Sequence, residues 1–213
     1  MSQRSSQKAE SRASIVRSAA KLLRERGLQG MSVERAMTGA GLTVGAFYAH
    51  FESKTDLLEH AFAIALGDVE QLLRDSSADK HGEAALANAA TLYLSDAHRD
   101  HAALGCPLPA MGASAIHSED ASARELSAQG LRTLTRILVD LGGHTISEER
   151  ALAISALLVG TQVLARATRG TPMSSALLEA ARGAAMDLIG PGSEEDRPPT
   201  ASAAAPADRG TER

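Results

Sequence analysis

The sequence predicts an all-α protein: a three-helix N-terminal unit containing a helix-turn-helix, followed by a larger helical domain. Three observations carry this. Hydrophobic residues make up 44% of the 213 residues but aromatics only 2%, so the core must be built from Ala, Leu, Ile, Val and Met, a bias toward helices over sheets. Apolar positions recur at three- and four-residue spacing along most of the chain. Residues 32–56, SVERAMTGAGLTVGAFYAHFESKTD, read as two short helices around a Gly39-Ala40-Gly41 break, with a third helix starting at once.

Residues 1–10 are polar and expected to form a flexible arm, with Arg4, Lys8 and the following Arg12 available to phosphates or a minor groove. Over residues 11–26, Ile15, Ala19, Leu22 and Leu23 keep helical spacing, and Gly27 is the stop. This helix braces the next two from behind. Ser32 is a good N-cap for the first helix of the motif, and Thr43 for the second. Phe47 and Phe51, four apart, share a core-facing side. Thr43, Val44, Gly45, Ala46, Tyr48 and His50 are left outward. A helix pair of this kind presents its second helix to a DNA major groove, where small residues permit close approach and Val44 suits a thymine methyl. Ser53 caps the third helix with Asp56 at the capping-box position. Lys54 in that first turn gains nothing from the helix dipole, which favours a phosphate partner.

Gly41-Leu42-Thr43, Gly45-Ala46-Phe47-Tyr48, His50-Phe51 and Ser53-Lys54 with Leu57-Leu58 resemble the signature of TetR/AcrR-type transcriptional regulators. The similarity runs from about residue 15 to residue 58. It implies that Tyr48, His50 and Lys54 hold phosphates, and that Val44, Gly45 and Ala46 face bases. Ser32, beyond its capping role, offers a hydroxyl to a phosphate. The pattern departs at Ala36-Met37, where this family has a large residue and then a small one; Met37 can fill that space from the neighbouring position. The implied protein is a homodimer on a palindromic DNA operator, most simply a repressor released by an unidentified small-molecule effector. No cofactor and no catalytic residues are expected.

Charge agrees. Residues 1–57 hold nine Lys/Arg against five Asp/Glu, a net of +4, while the remainder carries 13 against 21, a net of −8. A single cysteine excludes an internal disulfide and fits a reducing compartment. With no run of 18 apolar residues and no signal-peptide pattern, a soluble, cytoplasmic protein with no membrane partner is expected.

The helix-turn-helix domain is placed at residues 11–57 and a helical effector-binding and dimerisation domain at 58–190. A helix over 55–74 carries Leu57, Leu58, Ala61, Phe62, Ala65, Leu66, Val69, Leu72 and Leu73 as its stripe. The next is expected from Glu83 to about His98. Between 98 and 118, His98, His101, Cys106 and His117 invite a metal- or thiol-responsive alternative, but their spacing matches no standard zinc pattern. Gly105-Cys106-Pro107-Leu108 resembles a helix junction found in one branch of the same family's ligand-binding domains. Tyr93, Cys106, Met111 and Leu134 are the candidate lining of an effector pocket.

Ser122-x-x-Glu125 and Thr145-x-x-Glu148 offer capping boxes for two further helices, and Thr171-Pro172 opens a last one. The last two, 147–168 and 173–189, are apolar over more than one stripe, which calls for a partner on each side. Ala156, Leu157, Gly160, Leu164, Leu177, Ala181, Ala184 and Leu188 are the expected dimer surface. Residues 191–213 lack periodicity and are expected to be a disordered tail. Two other readings remain at this point: a helical enzyme, for which no base–nucleophile pair or phosphate loop is present, and an architectural DNA binder without an effector.

Overall fold

The computed structural model describes residues 3–118, 121–143 and 145–190, and these form helices and connecting turns with no strand among them. The expected tail at 191–213 lies outside the described residues, as does the side chain of Arg4. Helix α1 (Gln3–Gly30) begins eight residues earlier than expected, so most of the predicted arm is the first part of a helix. At Gly27 the backbone turns to φ 61°, ψ −160°, which ends the straight run. A Cβ at Gly27 would collide with the Ala110 carbonyl and Ser114 hydroxyl oxygens, so the break lets α1 seat closely on α6 (Leu108–Ala115).

Helix α2 (Val33–Gly39) and a 3-10 helix (Val44–Ala49) flank Gly41, whose φ of 73° makes the turn. Helix α3 (Lys54–Ser76) leaves the N-terminal domain and enters the body. There it meets α4 (Glu83–Tyr93), the short α5 (Asp96–Asp100), α6, α7 (Ala121–Gly142), α8 (Glu148–Ala167) and α9 (Pro172–Ile189). One continuous core runs through both parts, from Ile15, Leu23, Phe47 and Phe51 through Phe62 and Leu73 to Tyr93, Leu138, Ile154 and Leu178. Reversing the order at Ala36-Met37 costs no burial, since both side chains are fully enclosed.

Helix ends differ from the expectation at three places. The helix after Glu83 ends at Tyr93, because Ser95 caps a new one by accepting from the His98 N–H. Ser147 and not Thr145 caps α8, accepting from the Arg150 N–H, while the Thr145 hydroxyl donates to the Gly142 carbonyl. Thr171 occupies the N-cap of α9, but its hydroxyl donates back to Thr168.

Helix α8 is long and apolar enough by composition to cross a membrane. Here one side of it is core, with Ile154, Leu158 and Ala165 buried, and the other is exposed, with Leu152, Ala156, Gly160 and Leu164. Its neighbour α9 continues that outer face with Met173, Ala180 and Ala184 exposed and Leu177 and Leu188 half-buried. Ala181 departs from the expected surface. It is turned into the protein's own core at 6% exposure, on the side of α9 that packs against the rest of the chain, α8 and α4 included.

Candidate DNA interface and inner cavity

The turn Gly39-Ala40-Gly41 closes with the Leu42 N–H bonded to the Met37 carbonyl, which sets the second helix across the first. That second helix is a single tight 3-10 stretch and not a full α-helix. Phe47 is buried from within this stretch, and just past its end the Phe51 N–H bonds the Phe47 carbonyl at 3.1 Å, with the two rings stacked at 5.7 Å. The outer edge is left to Val44, 48% exposed, and Tyr48, 80% exposed, with Gly45 beside them. Ala46, expected to face bases, is half-buried against the core.

Thr43 sits extended at the N-cap without a capping bond, so its exposed hydroxyl is not consumed by the helix. Ser32 does cap, accepting from the Arg35 N–H at 3.2 Å. Ser53 accepts from the Asp56 N–H, and the Asp56 carboxylate in turn accepts from the Glu52 N–H. Together these two bonds cap the helix start, with Lys54 as the first, exposed residue of α3. The buried Nδ1 of His50 finds no partner among the described residues, and Lys8 and Ser11 of α1 share a shallow groove with that ring.

Arg12 belongs to the domain's frame. Its guanidinium lies 4.7 Å over the Phe51 ring and donates to His60 Nε2, so His60 carries its proton on Nδ1 and donates that to the Asp56 carbonyl.

Inside the second domain a cavity of about 220 Å³ opens between α3 (Val69, Leu72, Leu73), the end of α4 (Leu92, Tyr93), α5, and the segment 104–106. Tyr93 and Cys106 line it as expected; Met111 and Leu134 do not, being buried in the core. Leu72, expected in the core stripe, stands at the mouth with Leu104, and both are exposed. Nothing in the sequence singled out Leu104.

The wall at Tyr93 is held by bonds that span the chain. The last carbonyls of a helix have no partner within it. The Tyr93 carbonyl accepts from Gln162 Nε2 and from His98 Nδ1, both at 2.6 Å, and the Leu94 carbonyl accepts from Arg182. His98 Nε2 accepts from the Cys106 N–H at 2.9 Å, which places the ring proton on Nδ1. Both ring nitrogens are thus engaged with backbone. Burial holds its pKa down to about 4, from the usual 6.5. Gly105 is required here, because a Cβ would run into that imidazole.

Among the described residues no three His, Cys, Asp or Glu side chains come together as a metal site. The Cys106 thiol is fully buried, and burial pushes its pKa up, so the reactive thiolate is disfavoured.

Residues 15–61 match the sequence profile of the bacterial regulatory proteins of the tetR family. No curated protein matches the chain. Several solved structures share the fold. A TetR transcriptional regulator from Chloroflexus aurantiacus superposes with a TM-score of 0.63 at 26% identity, over 84% of this chain and 94% of that one. A TetR-family transcriptional regulator from Cytophaga hutchinsonii gives 0.65 at 22% identity, over 86% and 94%. The multidrug binding protein EbrR, solved in complex with imidazole, gives 0.62 at 19% identity, over 87% and 98%.

Proposed function

We propose, from the premise that this chain belongs through its N-terminal domain to the tetR family of bacterial regulatory proteins, that it is a cytoplasmic homodimeric repressor released from a palindromic operator by a small molecule. The observation that carries the reading is the edge of the 3-10 helix. Val44 and Tyr48 stay in water while their neighbours Phe47 and Phe51 are buried, and Lys54 is exposed at the start of the next helix. An apolar and an aromatic side chain exposed on one edge, with an exposed cation a few residues on, suit a groove with phosphates along its rim.

Assembly follows from the outer face of α8 and α9. Leu152, Leu164 and Met173 are large and exposed around the small Ala156, Gly160 and Ala184, a surface suited to close packing with its own copy across a two-fold axis. The cavity in the second domain is the effector site in this reading. EbrR offers a relative of the same fold that binds multiple drugs. No catalytic role is assigned.

Selection of duplexes from a random pool by the full-length protein tests the reading. Two inverted half-sites about one helical turn apart, or a multiple of it, are expected. Recovery of a single unrepeated site, or of no consensus, would overturn it. A reporter placed behind the selected site then separates repression from activation.

A further inference from the structure

We infer that the cavity between α3 and α5 takes a small neutral hydroxyl compound of the alkylphenol kind, seated apolar end first with its hydroxyl at the mouth beside His101. This rests on the reading of that cavity as the effector site and adds the chemical class of the ligand and the direction in which it enters.

The lining sorts by depth. Val69, Leu73, Tyr93 and Cys106 are buried and form the floor, while Leu72, Ala97, His101 and Leu104 are exposed and form the mouth. The Tyr93 hydroxyl has no accessible surface and is turned to the buried Cys106 thiol, so Tyr93 gives the cavity ring carbon only. His98, half-buried between floor and mouth, spends both ring nitrogens on backbone. The floor thus leaves no polar side-chain atom open to a ligand. A hydroxyl or carboxyl pushed that deep would lose its water and gain no side-chain partner. The inner end of the ligand is therefore hydrocarbon. The cavity holds about 220 Å³, and an apolar cavity of ~150 Å³ already accepts benzene, so one ring with a short alkyl group fits.

The mouth differs, because Ser95 and His101 at the two ends of α5 keep polar side-chain atoms in hand. His101 Nδ1 donates to the Ala97 carbonyl, so the neutral ring keeps Nε2 as an acceptor, without a partner among the described residues. The Ser95 hydroxyl accepts from the His98 N–H and keeps its own proton to donate. A ligand hydroxyl both donates and accepts, so it can use either group. A ketone or an ether has no proton to give to His101.

Charge of either sign is disfavoured alike. No Asp, Glu, Lys or Arg lines the cavity, so with His101 neutral a ligand carboxylate or ammonium would leave water without a counter-charge. Charges beyond the lining are of both signs, Asp100 paired with Arg99 and Arg166 bonded to the His98 carbonyl.

Titration calorimetry on the full-length protein at about pH 8, which holds the imidazole neutral, tests this. The probes are para-ethylphenol, ethylbenzene, para-ethylbenzoate, para-ethylbenzylamine and tyrosol, which carries a hydroxyl at each end. The first should bind tightest, and tyrosol roughly tenfold more weakly, since one of its hydroxyls must reach the floor. His101→Phe should weaken para-ethylphenol about fivefold while leaving ethylbenzene no weaker. Ala97→Phe, a change at an exposed position that narrows the mouth, should weaken both. Ethylbenzene or tyrosol binding as tightly as para-ethylphenol, a preference for either charged probe, no saturation by any of the five, or indifference to both substitutions would overturn the inference. Release of the selected duplex is measured separately. If para-ethylphenol binds as described but leaves DNA bound, the effector reading falls and the ligand class stands. If DNA is released equally by probes with and without the outer hydroxyl, the class falls and the effector reading stands.

Discussion

Arg24, on the helix that backs the helix-turn-helix, donates to the carbonyl of Ala103, the residue next to Leu104 at the cavity mouth. The same guanidinium donates to the Ala65 carbonyl and pairs with Asp68 on α3, while the residue itself is only 6% exposed. One buried cation therefore ties the DNA-facing domain to the rim of the cavity. Arg24→Met should keep the apolar stem, lose these bonds, and cost roughly 2 kcal/mol of stability. Measured by urea denaturation, that cost should come with DNA binding retained and a weaker effect of cavity ligands on it. A variant with undiminished ligand response would remove Arg24 from the connection.

Lys54 stands exposed at a helix start capped by Ser53 and Asp56. Lys54→Ala should weaken binding to specific and random duplexes alike. It should also flatten the dependence of log K on log salt by about one unit per subunit. An unchanged slope in a salt series would argue against phosphate contact.

His98 gives a pH signature. Its folded pKa of about 4 lies below the unfolded 6.5, so between these values the unfolded chain binds a proton that the native state refuses. Stability should fall as pH drops through that window, by at most on the order of 3 kcal/mol, and His98 should add nothing further below about pH 4. Denaturation midpoints across pH 4 to 7 for the protein and for His98→Gln should differ in slope, the variant being flatter.

Leu164 is exposed at 54% on the outer face of α8, so a charge there leaves the fold of one chain undisturbed. Covered by a second copy, the same charge would be buried without a partner at a cost of several kcal/mol. Leu164→Glu should therefore sediment as a folded monomer and lose tight binding to the paired half-sites. A Leu164→Glu dimer of undiminished affinity would move the interface elsewhere.

Cys106 should resist modification. Its burial and raised pKa predict that iodoacetamide labels it only after unfolding, and that Cys106→Ser retains DNA binding. Rapid labelling of the native protein, read by mass spectrometry, would revive a thiol-responsive reading.

Much of the DNA-facing domain was legible in the sequence, because its signals are local. Ser53 accepts from Asp56 three residues on, and Asp56 accepts from Glu52 four residues back; Phe47 and Phe51 are joined by a bond from the Phe51 N–H to the Phe47 carbonyl. The pitch itself was not legible, since six residues fit a 3-10 or an α-helix equally well. The second domain hides more, because its decisive contacts are distant. Gln162 and Arg182 reach the carbonyls of Tyr93 and Leu94 across 69 and 88 residues, and no periodicity announces such a bond. Small residues also give no direction. Ala181 and Ala184 look alike in sequence, yet one is buried in the core and the other faces out.

The sparse aromatic content has an optical consequence. The chain has no tryptophan and two tyrosines, one on the DNA-facing edge in water and the other sealed beside the cavity. Excited at wavelengths beyond phenylalanine absorption, this protein emits from Tyr48 and Tyr93 alone, one dye for each surface that matters. In Tyr48→Phe every emitted photon reports on the cavity, and in Tyr93→Phe every one reports on the groove, so both events can be followed in real time with no label attached.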